Sequence, residues 1–273
     1  MKIIDAHFHM FPEDEFTADE LRKVGHKPGF TALQEYYREH DFAHGVIMSN
    51  LSLDPEYHRY PKEFHYCIGL DALRFAPIID QNTIDLVDAN LQQPQCCGIK
   101  LYPGYNPLSI ASSDYEPVYD LARKYDKPVA IHMGQTAHSD ARLKYSHPLT
   151  LDEVASTHPD VQFVMCHFGN PFLPDAAAVV EKNENVAVDL SGLLVGIKDL
   201  DSYFEEQCGY ITMLRGWIAY VEDWSRFMFG TDFPAVNLSN YAEFAKRLIP
   251  ERYWEDFFYN NANRIYRLGL PAL

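Results

Sequence analysis

Short apolar runs rich in Val, Ile and Phe recur along the chain at 2–8, 44–49, 64–70, 97–101, 128–133, 161–167, 186–190 and 226–231. Amphipathic stretches lie between most of them: Thr31–His40, Ile79–Leu91, Tyr115–Tyr125, Leu149–Ser156, Asp175–Lys182, Ile211–Val221 and Tyr241–Leu248. In Tyr115–Tyr125, Val118, Leu121 and Ala122 share one helical face. Strands that alternate with helices imply βαβ units and a parallel sheet. Eight such units in 273 residues predict a single (β/α)8 barrel occupying 1–273. A doubly wound open sheet is the alternative, but no Gly-x-Gly-x-x-Gly follows the first strand to support a dinucleotide version. Glu251–Leu268 reads as one or two closing helices. No repeat, low-complexity stretch or Pro-, Gly- or Ser-rich linker divides the chain. Two long segments, 10–30 and 134–148, follow strand C-terminal ends, the face where barrel enzymes carry their sites.

The first run, Lys2-Ile3-Ile4-Asp5-Ala6-His7-Phe8-His9, delivers two histidines two residues apart. In a strand that spacing aims both at one point. Twelve histidines in the chain make roughly half a His-x-His pair expected by chance, so the pair alone says little. The later runs supply the context. Lys100 ends the fourth, His132 the fifth and His167 the sixth, and Asp232 follows the eighth. Ionisable groups gathered at one mouth repel or desolvate each other unless a cation compensates. Most of these groups also offer metal-ligand atoms.

Other polar residues carry two readings each. Asp5 shares the strand parity of His7 and His9, so it either orients an imidazole or caps the strand start. Tyr102 and Tyr105 either line a pocket or pack in the core. His138, Arg142 and His147 lie in the fifth loop, where solvation is the default. His158 reads as structural, Asp189 and Ser191 as candidates for a substrate contact, and Asn263 and Arg264 as anchors of the terminal helix.

Composition narrows the class. An apolar fraction of 47% suffices for a large core. A net charge of −16 argues against nucleic acid as a partner but not against a small anionic substrate. No apolar run approaches the ~18 residues of a membrane span, and no h-region precedes the first strand, so neither an anchor nor a signal peptide is expected. Five cysteines without a Cys-x-x-Cys read as reduced, buried thiols. These features together describe a cytoplasmic globular enzyme acting on a small molecule, with homo-oligomerisation left open.

Five segments carry a family resemblance: Asp5-Ala6-His7-Phe8-His9, Gly98-Ile99-Lys100-Leu101-Tyr102-Pro103, Ile131-His132, Cys166-His167-Phe168-Gly169 and Gly230-Thr231-Asp232-Phe233-Pro234. With the tail Asn261-Ala262-Asn263-Arg264-Ile265-Tyr266, the sequence resembles the amidohydrolase superfamily of metal-dependent TIM-barrel hydrolases. Within it the likeness is to the amidohydrolase-related (amidohydrolase 2) branch, which also includes decarboxylases such as amino-carboxymuconate-semialdehyde decarboxylase.

The resemblance implies that His7, His9, His132 and Asp232 hold a divalent metal, with Zn2+ favoured. It further implies that Asp232 doubles as a general base. His167 is implied either as an acid/base or as a ligand of a second metal, the acid/base role being favoured. Lys100 is either a carbamylated bridge between two metals or a free ammonium that binds a substrate carboxylate. One ion and a free Lys100 are the preferred expectation, with Tyr102 beside it as a pocket residue. The implied reaction is hydrolysis of a C–O or C–N bond in a small carboxylated or carbonyl compound by metal-activated water. Non-oxidative decarboxylation is the alternative, and a non-catalytic binding barrel the remaining one.

Overall fold

The strands pair in parallel and in sequence order, β1-β2-β3-β4-β5-β6-β7-β8. They are β1 (Ile3–Phe8), β2 (Phe42–Met48), β3 (Phe64–Gly69), β4 (Cys96–Leu101), β5 (Val129–Ile131), β6 (Phe163–Met165), β7 (Val186–Asp189) and β8 (Phe227–Met228). The computed structural model describes residues 1–10, 15–50, 52–71 and 78–273. The segment after β8 closes the ring onto β1. Ala6 N donates to Phe229 O (2.9 Å), Asp232 N to His7 O (2.8 Å) and His9 N to Phe233 O (2.7 Å). The expected (β/α)8 barrel is therefore the architecture.

Strands covered on both faces read as continuous apolar runs, which is why every residue of β4 is buried, Lys100 included. Inward residues fill the barrel: Ile4, Ala6, Val46, Met48, Cys67, Cys97, Ala130, Val164, Ala187 and Met228 among them. Small and large side chains mix there, as a narrow barrel requires. Outward residues meet the helices in a second, larger cluster. The main helices are α1 (Glu15–Lys23), α2 (Phe30–Glu39), α3 (Gln81–Leu91), α4 (Glu116–Tyr125), α5 (Leu149–Thr157), α6 (Leu173–Lys182), α7 (Leu200–Glu206), α8 (Cys208–Tyr220) and α9 (Leu238–Leu248). α4 buries Val118, Leu121 and Ala122 as expected, with Tyr119 added.

The tail forms a π-helical turn, Asp256–Asn260, followed by α10 (Asn261–Ile265). Tyr259, Ala262, Ile265 and Tyr266 join the inner cluster. Asn261 Nδ2 donates to Phe227 O (2.8 Å), which places this plug at the N-terminal end of β8, opposite the site. Asn263 and Arg264 anchor it, through Leu270 and the Ser225 carbonyl.

Several expectations are corrected. β5, β6 and β8 are shorter than their apolar runs, because those runs continue into the turns at the barrel mouth. The 10–30 segment contains the helix α1 and ends where α2 begins, while its residues 11–14 lie outside the described residues. Four cysteines are buried, but Cys208 is exposed. Strict alternation fails in β1. Ile4 and Ala6 face inward, Ile3 and Phe8 face the helices, and a register irregularity falls between Asp5 and Phe8. Asp5 does not follow His7 inward; it accepts from Thr231 N (2.9 Å) and Thr231 Oγ1 (2.6 Å) and fastens β1 to the segment after β8.

Among the described residues, no helix is long and apolar enough to cross a membrane.

Candidate metal centre

His7 leaves β1 with its ring fully buried, and its Nδ1 lies 2.9 Å from Asp189 Oδ2. A carboxylate accepts, so Nδ1 donates and Nε2 keeps its lone pair. That Nε2 has no hydrogen-bond partner and lies 3.4 Å from Asp232 Oδ1. His9 repeats the arrangement from the end of the strand. Its Nδ1 faces Met48 O (2.9 Å) and Asn50 Oδ1 (2.7 Å), while Nε2 lies 3.3 Å from the same Asp232 oxygen. Two imidazole nitrogens thus converge on one carboxylate oxygen, as the His-x-His spacing predicts.

A buried lone pair aimed at a carboxylate is unfavourable unless a cation stands between them. Imidazole and carboxylate are donors that zinc and similar divalent ions take. The residues therefore fit a divalent metal. Donor atoms of His7, His167 and Asp232 lie within 4.8 Å of one another, and so do those of His7, Cys166 and Asp189.

His132 follows β5 and sits one ring further back. Its Nε2 is 3.1 Å from Gln135 O, which can only accept, so in the neutral ring Nδ1 carries the lone pair. That Nδ1 is 3.1 Å from His167 Nε2. The donor group of His7 and Asp232 thus includes His167, and His132 meets that group through His167.

The backbone turns sharply to aim two of these side chains. His167 and Asp232 both adopt left-handed φ, 61° and 65°. Non-glycine residues hold such angles at a cost of about 1–3 kcal/mol, and they cluster at functional sites. His167 N donates to Asp189 Oδ1 (3.0 Å) and Asp232 N to His7 O (2.8 Å), which holds the two turns. Gly192 (φ 65°) passes between them, and a Cβ there would meet His167 Nδ1 at 3.0 Å and Asp232 Oδ2 at 3.1 Å.

Electrostatics keep the cluster ready for a cation. Burial lowers His7 to about 3, outweighing the Asp189 charge, and holds His132 well below the usual imidazole range. Burial likewise lowers His167. For Asp232, burial alone would raise the carboxyl, but the imidazoles of His167, His9 and His7 hold it well below the usual carboxylate range. Neutral imidazoles and an ionised carboxylate are the ligating forms.

Lys100 is fully buried, with Nζ 2.9 Å from Cys166 Sγ and 5.3 Å from the Tyr102 ring centre. The buried Tyr102 hydroxyl donates to Ser49 O (2.8 Å). Both polar groups are engaged by the protein itself, so no contact here supports the substrate-binding or bridging role expected of them. Tyr105 stacks edge-on against His132 (4.9 Å between centres) and against His138 (5.7 Å). His147 lies near Asp175, and His158 is tied to Val154 O and Glu116 as a structural group. Asp189 is the residue the sequence undervalued. Sequence offers it only as a candidate substrate contact, because its partner His7 is 182 positions away.

Residues 4–268 match the family model described as Amidohydrolase. Three solved structures are similar over nearly their whole length. A candidate 2-pyrone-4,6-dicarboxylic acid hydrolase from Pseudomonas putida is 16% identical with a TM-score of 0.67, covering 99% of each chain. The 2,6-dihydroxybenzoate decarboxylase from Rhizobium is 15% identical with a TM-score of 0.69, covering 99% of this chain and 100% of that one. A dihydroxybenzoic acid decarboxylase from a Polaromonas species, with bound manganese and the inhibitor 2-nitroresorcinol, is 13% identical with a TM-score of 0.66, covering 99% and 98%. At such identities the likeness concerns the fold. No curated protein matches the chain. The family match runs from the first strand to the closing helix and takes in every residue of the cluster, so the chain belongs to the amidohydrolase family.

Proposed function

We propose that this protein is a metal-dependent hydrolase that cleaves a C–O or C–N bond of a small carboxylated or carbonyl compound. The observation that carries the reading is the convergence of His7 Nε2 and His9 Nε2 on Asp232 Oδ1, at 3.4 and 3.3 Å, with the His7 nitrogen unsatisfied. His7, His9, His132 and Asp232 would hold one divalent ion, zinc by donor type, with manganese the ion in one structural relative. Bound there, such an ion lowers the pKa of water toward neutrality and polarises a carbonyl oxygen.

The chain's own residues supply the rest. Asp232 is partly exposed at the mouth and ionised, so it takes a proton from the attacking water. His167 is also partly exposed, and its basic Nε2 faces the site, where it takes up the proton drawn from the water and relays it to the leaving group. Fully buried His7 and Asp189 form the closed floor of the site. The net charge of −16 supports a small molecule over nucleic acid as the partner. Decarboxylation is the second reading, favoured by the decarboxylases among the structural relatives. It uses the same His167 to protonate the carbon that loses CO2.

A panel of lactones, amides and carboxylated phenols, incubated with zinc- or manganese-loaded protein in 18O-water, tests the reading. Label in the product supports the hydrolase. CO2 release with no label in the organic product replaces it with the decarboxylase, and no turnover with any substrate supports a binding barrel instead.

A further inference from the structure

We propose that Ser191 is a positioning residue: it locks the His167 ring with its proton on Nδ1, so that Nε2 is the atom offered to the site. Asp189 Oδ1 receives the backbone N–H of His167 (3.0 Å) and of Ser191 (3.2 Å), and Oδ2 faces His7 Nδ1 (2.9 Å). Backbone N–H groups only donate, so Asp189 acts as an acceptor toward this shell. Ser191 Oγ lies 2.5 Å from the same Oδ1, and its single hydrogen goes there.

Ser191 Oγ also lies 2.8 Å from His167 Nδ1. With its hydrogen committed to Asp189, the hydroxyl can only accept from that nitrogen. The Ser191 carbonyl oxygen, which never donates, is 3.2 Å from the same Nδ1. Two acceptors on one nitrogen assign it the N–H. Ser191 is fully buried, so water does not compete for these bonds. Gly192 keeps the space beside this nitrogen open, since a Cβ there would come within 3.0 Å of it.

The consequence is chemical. An unconstrained histidine side chain prefers its proton on Nε2, so the lock reverses the ordinary preference. His167 Nε2 is left basic and lies 3.1 Å from His132 Nδ1, itself a lone-pair nitrogen in the neutral ring. Two lone pairs in contact call for a proton or a cation from the site side. Asp189 thereby governs two imidazoles, His7 directly and His167 through Ser191. The catalytic meaning of the lock rests on the role proposed above for His167; its geometry does not.

The test is long-range proton–nitrogen NMR of the imidazoles in full-length protein labelled with 15N-histidine. It is run zinc-loaded and again after chelation, near pH 8, where an ordinary imidazole is neutral. His167 signals are assigned by their loss in His167→Gln. The expected result is a protonated Nδ1 in both states. Ser191→Ala should shift the ratio of the two tautomers toward Nε2–H by roughly 10-fold, the weight of one hydrogen bond, and Ser191→Thr should restore it. A wild-type ring protonated on Nε2 would overturn the proposal, as would an unchanged ratio in Ser191→Ala. The readout needs no substrate. A locked ring in a protein without turnover would sink the hydrolase reading alone, and an active protein with the opposite tautomer would sink the lock alone.

Discussion

Asp189 Oδ2 stands 2.9 Å from His7 Nδ1, with both side chains fully buried. Burial would raise an Asp189 carboxyl, but His7, His167 and Lys100 together hold it far below the usual range. An ionised Asp189 fixes the His7 tautomer and increases the basicity of Nε2, the nitrogen aimed at Asp232. Asp189→Asn should therefore weaken metal binding by about 10–100-fold, the usual cost of losing the partner behind a ligating histidine. Competition with a chromophoric chelator measures it, and an unchanged affinity would detach Asp189 from the metal.

His167 is assigned to proton transfer. His167→Asn should lower kcat by roughly 10²–10⁴ while the metal content stays as in the wild type. Loss of metal in this variant would instead make His167 a ligand, as its place beside His7 and Asp232 allows.

Lys100 separates one-ion from two-ion chemistry. Its ammonium lies against Cys166, beside the second donor group of His7, Cys166 and Asp189. An uncarbamylated ammonium there repels a second metal charge. Wild type and Lys100→Met should both hold about one metal equivalent, and the intact mass should show no carbamate. Two equivalents in the wild type, falling to one in Lys100→Met, would establish the bridge.

Asp5 contributes to the pH dependence of stability. Burial, the largest influence, raises its carboxyl to about 7 against the lowering bonds from Thr231 and His7. The folded value lies above the unfolded value of 3.8, so the folded state binds the proton more tightly. Its contribution is then greatest below about 4 and falls as pH rises to about 7, by at most about 4 kcal/mol. The histidines lowered by burial, His7, His132 and His167, act in the opposite sense, so the comparison is with Asp5→Asn, which keeps the Thr231 contacts. In chelated protein the urea midpoint of Asp5→Asn should gain on the wild type as pH rises across that window; a difference independent of pH would place no titration at Asp5.

The barrel and its mouth were legible because strands buried on both faces tolerate a polar residue chiefly where they run out. Lys100, His132, His167 and Asp232 stand at such points, and the His7–His9 spacing survives the irregularity in β1. Their partners were not legible. Asp189 and Ser191 end β7 in the same way, yet nothing local reveals that one carboxylate meets His7 on β1 and the turn after β6. For Lys100, sequence shows position along a strand but not how deep in the barrel the side chain lies. α7 escaped notice because only Leu200 of its seven residues is buried, which leaves little apolar periodicity to read.

The central claim is that His7, His9, His132 and Asp232 hold a single divalent ion. Anomalous diffraction from crystals grown with zinc or manganese tests it most directly. The account predicts one peak, bounded by His7 Nε2, His9 Nε2, His132 Nδ1 and Asp232 Oδ1, and its loss in His7→Ala. Absence of any peak, or a pair of peaks joined through Lys100, would contradict it.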